Sequence, residues 1–134
     1  MVTEEQENIA KKVLDAAFEV HSQLGPGLLE STYQTCLLFE LKERGIFAES
    51  EKALPVFYKG TRIECDYRID ILVEHDKLIV ENKSVKELND LHTAQILSYM
   101  KLSGISLGFL LNFNVRSLKN GIKRIVLNAK SEDK

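Results

Sequence analysis

The chain has 134 residues, enough for one domain with a sizeable core, and is 44% hydrophobic and 28% charged, an ordinary soluble composition. Its formal net charge of −2 argues against a uniformly basic coat for nucleic acid, while leaving room for a local basic groove. The apolar runs fall far short of a bilayer span, and the acidic opening Met1-Val2-Thr3-Glu4-Glu5 has no apolar signal core, so a cytoplasmic protein is expected.

Thr3 with Gln6 resembles a capping box and predicts a first helix over about 4–24, with Ile9, Val13, Ala17, Val20 and Leu24 on one face. His21 falls inside that apolar arc, near Leu14 and Ala17, and is expected as a buried histidine rather than a ligand. Gly25-Pro26-Gly27 breaks the chain, and a second helix is predicted over about 28–44, ended by Gly45. Strands follow near 52–58, 62–74 and 77–84, with turns at Lys59-Gly60 and His75-Asp76. A third helix over about 88–103 stops at Gly104, and "SLGFLLNF" and "IKRIVLN" supply two more strands. Residues 129–134 read as a short, flexible, solvated tail of one domain spanning 1–134. The order helix, helix, three strands, helix, two strands suits a sheet with helices on its faces. Cys36 and Cys65 are expected as small buried thiols in a reducing compartment.

The hairpin "YRIDILVEHDKLIVENKS" (67–84) poses a chemical problem. With His75-Asp76 as its turn, residue 73 faces 78, and counting back sets Asp70 directly opposite Glu81. Opposed side chains stand roughly 4.5–5.5 Å apart at Cβ, where like charges are destabilising. Lys83 lies two residues beyond Glu81 and points to the same face. Two acids and a lysine on a central strand pair call for a cation between the acids, and oxygen-only ligands suit Mg²⁺. The competing interpretation is a solvent-facing strand pair carrying a surface ion pair.

On the second helix, steps of 100° put Glu30 between Leu37 and Leu41, at the centre of the apolar face. Alone, Glu30 is equally a first-turn acid favoured by the helix dipole. On the third helix, His92, Gln95 and Tyr99 share an arc with Leu88, Leu91 and Leu102, forming a polar stripe aimed at the sheet. Each alone suits a satisfied core polar group. On the opposite arc Leu97 and Met100 sit together among Asn89, Thr93 and Lys101, an apolar pair expected at the surface that suggests a homodimer.

"GLLESTY" (27–33), "RID…VENK", "HTAQILSY" and "GFLLNFN" together resemble the GxxExxY family of the PD-(D/E)XK nuclease-like superfamily, from about residue 7 to 127. The resemblance implies an α/β (α+β) fold, a restriction-endonuclease-like core in which a mixed, four-stranded central sheet is flanked by α-helices. It implies Glu30 as the first-helix acid, Asp70 and Glu81 as metal-binding acids and Lys83 as the superfamily lysine. Gln95 and Tyr99 look like the glutamine–tyrosine motif of the lambda-exonuclease-like branch. Asn82 departs from the pattern, because that position is usually apolar; its side chain should point away from the acids.

The activity implied is metal-dependent hydrolysis of DNA or RNA phosphodiesters, with Mg²⁺ or Mn²⁺ on Asp70 and Glu81, the Asn82 carbonyl as a further ligand, and Glu30 near a coordinated water or second ion. Lys83 would orient the nucleophile or offset charge at phosphorus, while Gln95 and Tyr99 fix geometry. Lys83, Lys86 and Lys101 are candidate phosphate contacts near the site, with Arg116, Lys119, Lys123 and Arg124 further along. No base-reading motif or aromatic stacking platform is evident in the sequence. Two other classes fit less of it: a non-catalytic nucleic-acid-binding or regulatory module, and a structural oligomer whose polar stripe specifies packing.

Overall fold

The computed structural model describes residues 1–127. The expected tail at 129–134 lies outside the described residues. Among those described, three helices, α1 (Glu4–Leu24), α2 (Glu30–Glu43) and α3 (Asp90–Ser103), flank a mixed five-stranded sheet. The strands are β1 (Ala48–Ala53), β4 (Arg68–Val73), β5 (Leu78–Lys83), β6 (Leu107–Asn112) and β7 (Ile122–Val126), in the spatial order β1-β4-β5-β6-β7. Only β5 and β6 pair in parallel, and α3 forms the crossover between them. No helix among the described residues is long and apolar enough to cross a membrane.

The capping box forms as the sequence indicates: the Thr3 side chain accepts from Gln6 N–H, and the Gln6 side chain accepts from Thr3 N–H. α1 and α2 cover one face of the sheet, where Val13, Ala17, Leu37 and Leu41 meet Ile71, Val73, Leu78, Val80 and Phe109. α3 covers the other, where Ile96 and Met100 meet Leu72, Ile79 and Leu110. Successive strand residues therefore feed opposite cores, and β6 is buried along its whole length, as a strand covered on both faces must be. His21 is buried, as expected, with Nε2 2.7 Å from the Val115 carbonyl oxygen.

The strand predicted over 52–58 is two strands belonging to different sheets. β1 ends at Ala53; β2 (Val56–Tyr58) and β3 (Thr61–Ile63) then pair only with each other. Pro55 is the physical cause, since it lacks the N–H a continuing ladder requires. The predicted 62–74 strand splits likewise into β3 and β4. This hairpin turns at Lys59-Gly60, both with positive φ, as the sequence indicates. Cys65, beside it, is exposed rather than buried, and Cys36 is half-buried.

α3 sits differently from the expected arrangement. Met100 is fully buried and Leu97 is half-buried against the same core, so this apolar pair, read as lying at the surface, faces inward, while Asn89 and Lys101 on the same arc are exposed. Leu91, placed on the inner face, is 78% exposed, and Leu102 is also exposed. Gly108 explains the choice. A Cβ there would come within 2.9 Å of Met100 Sδ and 3.0 Å of Ile96 Cδ1, so the bare backbone of β6 admits these side chains. His92 caps α3 rather than facing the sheet: its backbone N–H donates to the Asn89 side chain, and its Nδ1 accepts from Asn89 N–H.

Met100→Ala should lower unfolding stability by about 2–5 kcal/mol. Leu91→Ala should change it by no more than about 0.5 kcal/mol. Urea denaturation of the two variants measures this contrast between the faces of α3.

Candidate active site

The β4–β5 register pairs Ile71 with Val80, Leu72 with Ile79 and Val73 with Leu78, which sets Asp70 opposite Glu81 as the sequence count required. The turn is longer than His75-Asp76: Glu74 and His75 both take positive φ, and Lys77 N–H donates to Val73 C=O at 3.1 Å. Because the extension is symmetric about the same centre, the register survives.

At Asp70 the paired strands exchange side-chain contacts instead of ladder bonds. Asp70 N–H donates to Glu81 Oε2 at 2.9 Å, and Asn82 N–H donates to Asp70 Oδ2 at 2.9 Å. Each carboxylate thus accepts from the opposite strand through one oxygen. No hydrogen bond to Asp70 Oδ1 or Glu81 Oε1 occurs among the described residues. Glu81 is buried and Asp70 half-buried. Burial pushes the Glu81 carboxyl up to about 8, with the Asp70 charge adding to it; Asp70 N–H and Lys83 pull the other way. Burial likewise raises Asp70 to about 6, opposed by the Asn82 N–H and by Lys83, and reinforced by Glu51 and Glu30.

Lys83, half-buried at the end of β5, is held by neighbours of its backbone. Its carbonyl accepts from Phe113 N–H at 3.0 Å. Buried Asn112 clamps the next segment, accepting from Val85 N–H and donating to Val85 C=O. Tyr99 is buried on the α3 side and accepts from Gln95 Nε2 at 3.0 Å. Burial raises the Tyr99 hydroxyl pKa, and the Glu81 and Asp70 charges add to the rise. Gln95 itself is exposed.

Glu30 is the first residue of α2 and is exposed, not centred on its apolar face, where Tyr33, Leu37 and Leu41 are buried. The stripe geometry is right, but Glu30 occupies the end that the core does not cover. Gly27, with φ of +103°, needs a glycine. Tyr33 Oη donates to Gly25 C=O at 2.5 Å and accepts from Leu28 N–H at 3.1 Å, while its ring stacks on Phe113 at 4.6 Å. Ser84 Oγ donates to Leu28 C=O at 2.7 Å, tying this loop to the residue after Lys83. The glycine and tyrosine of "GLLESTY" are thus fixtures that seat Glu30 beside the hairpin. Among the described residues, no three of His, Cys, Asp and Glu assemble as a metal-binding group, while the Glu30 charge acts on Asp70.

Two participants escape the sequence argument. Gln34, one helical turn beyond Glu30, donates from Nε2 to Glu51 Oε2 (2.8 Å), Ser50 Oγ (3.2 Å) and Asp70 C=O (3.2 Å). Its Oε1 accepts from Asn82 Nδ2 at 3.3 Å, so the Asn82 side chain does point away from the acids. Among the described residues, Asn82 Oδ1 is buried without a partner. Glu51 falls between the pairs Ser50↔Ile71 and Lys52↔Ile69, opposite Asp70, with φ of +53°. The i, i+4 spacing from Glu30 is the signal that would have found Gln34; Glu51 was hidden because the expected strand began at residue 52 and β1 begins at Ala48. Of the cations further along, Arg124 is paired with Glu7 at 2.7 Å and Lys123 donates to Thr93 Oγ1; of those expected near the site, Lys86 and Lys101 are exposed.

A mixed sheet flanked by helices, with two acids and a lysine converging on the central antiparallel pair, defines the restriction-endonuclease-like class of α/β folds. A sequence model of the PD-(D/E)XK nuclease superfamily matches residues 7–125, and the chain belongs to that superfamily. No curated protein and no solved structure matches it.

Raised carboxyl pKa values make stability fall as pH rises, because the folded state then holds more protons than the unfolded chain between the two pKa values. The thermal midpoint should decline from about pH 5 to about pH 8 through Asp70 and Glu81. Glu81→Gln should flatten most of that decline in scanning calorimetry across the range.

Proposed function

We propose that the protein is a metal-dependent nuclease that hydrolyses phosphodiester bonds of DNA or RNA, within the GxxExxY group of its superfamily. The observation that carries this is the Asp70–Glu81 pair: two partly desolvated carboxylates near Lys83, each with one oxygen accepting from the opposite strand's backbone and one without a hydrogen bond among the described residues. The donor set fits a hard divalent cation, since it offers carboxylate oxygens and no sulfur or imidazole. Mg²⁺ accepts one or two carboxylates and keeps water for its remaining positions, and Mn²⁺ suits the same ligands. Asp70 and Glu81 would hold it, with the Asn82 carbonyl and Glu30 as further oxygens. A cation bound there supplies Lewis-acid polarisation of the phosphoryl group and acidifies attacking water.

The chain's own residues provide the rest. Lys83 places a positive charge beside the acids, where it orients the nucleophile or offsets charge at phosphorus. Tyr99, hydrogen-bonded by Gln95, offers a hydroxyl on the α3 side whose burial favours its neutral, donating form. Gln34 holds Asp70 and Glu51 from the α2 side and so fixes the acid pair rather than touching substrate.

The test incubates pure protein with labelled single- and double-stranded DNA and RNA, with Mg²⁺ or Mn²⁺. Cleavage should appear with metal, vanish with EDTA and be absent in Asp70→Ala. Lys83→Ala should slow it by about 10²–10³-fold with an unchanged circular dichroism spectrum. Metal should also raise the thermal midpoint more at pH 8 than at pH 5, because protons compete for the same carboxylates. Salt-dependent binding without cleavage in any arm would favour the non-catalytic nucleic-acid-binding module instead.

A further inference from the structure

The β2–β3 hairpin has no evident role in the fold. It pairs with no strand of the main sheet, and isolated two-stranded hairpins are marginal in water. Nevertheless it exposes Phe57 (58%) and Tyr58 (62%), with Ile63 and Tyr67 also open. Phe57 pairs across the hairpin with Arg62, so ring and guanidinium share one face; Tyr58 pairs with Thr61 on the other. Lys59 Nζ lies 5.5 Å from the centre of the Tyr58 ring. Residues 56–63 carry Lys59 and Arg62 and no acid, in a chain whose net charge is −2. Arg68 is paired with Asp66 and is not free to contribute.

Position adds to chemistry. The hairpin is inserted between Ala53 and Arg68, which pair at the open end of β1 and β4, and Arg68 is two residues, about 7 Å of strand, from Asp70. On that same connection the Tyr67 ring lies 6.2 Å from the Tyr99 ring, and Tyr99 feels the Asp70 and Glu81 charges. Tyr67, on the connection that returns from the hairpin to β4, therefore meets the ring that senses the paired acids.

We propose that the hairpin is a binding arm for single-stranded nucleic acid, in which Phe57 and Tyr58 stack unpaired bases and Lys59 and Arg62 meet the phosphates, delivering the strand to the acid pair. Exposed rings interleaved with cations are what sequence-tolerant single-strand recognition needs, because every base has a face to stack. The bases of a duplex are already stacked on one another and offer no such face. The proposal rests on the nuclease reading for its delivery step, but the binding step is measurable without it.

Binding of a fluorescein-labelled 20-mer single strand and of its blunt duplex is measured by anisotropy in EDTA, with the full chain. Wild type should prefer the single strand. Phe57→Ala and Tyr58→Ala should each weaken it by roughly 5- to 150-fold. Lys59→Ala should make the dependence of log affinity on log salt shallower by about 0.7. The chain has no tryptophan; Phe57→Trp therefore gives a single indole reporter, which the single strand should quench and the duplex should not. Loss of cleavage together with retained, ring-dependent single-strand binding would sink the nuclease reading and leave the arm. Metal-dependent cleavage of duplex and single strand alike, unchanged by Phe57→Ala and Tyr58→Ala, would overturn the arm and leave the nuclease. Indole fluorescence of Phe57→Trp that the single strand leaves unquenched would also overturn it. So would a lower mass by light scattering in the alanine variants, by showing that the rings meet a second copy.

Discussion

The repulsion between Asp70 and Glu81 is the constraint around which this molecule is organised. Two acids placed opposite each other in an antiparallel pair oppose strand association, and burial sharpens the penalty. The structure answers locally by letting each carboxylate accept a backbone N–H from the facing strand. It answers at longer range with Lys83 and with protonation, since burial raises both carboxyl groups, the Asp70 charge adding at Glu81 and those of Glu51 and Glu30 at Asp70. Both responses act on the carboxylates through the chain's own backbone and side chains, and no third acid joins the pair as a metal-binding group among the described residues.

Around that pair, most of the supporting bonds run between side chains and backbone rather than between side chains. Tyr33 ties the glycine loop, Ser84 ties that loop to the end of β5, and Asn112 clamps Val85. Such bonds set the path of the main chain and leave the acids and lysine available. Gln34 differs in using both ends of its amide, reaching two strands and Asn82 together. The polar residue at position 82 is thereby half accommodated: its amide nitrogen is bonded and, among the described residues, its Oδ1 is not.

What the sequence made legible was whatever depends on local period. The Thr3–Gln6 cap, the span of α1 and the Asp70–Glu81 register all follow from counting along a helix or across a hairpin. What it hid depends on tertiary choice. Which face of α3 turns inward was decided by the absence of a side chain at Gly108, on a strand elsewhere in the sequence, and Met100 rather than Leu91 filled the space. Glu51 was invisible because β1 begins at Ala48, four residues before the expected start, so Glu51 fell outside the predicted strand. The tyrosine and glycine of "GLLESTY" stood out as a motif, but only three-dimensional contacts reveal them as the mount for Glu30.

The hairpin that carries the acids also separates two demands in folding. Its turn end, from Val73 and Leu78 inward, is apolar and joins residues close in sequence, so it can zip from the turn with consistent local and global preferences. The unfavourable pair lies at the far end, where pairing is completed last. The like charges thus lie at the mouth of the element, apart from the apolar contacts between residues close in sequence.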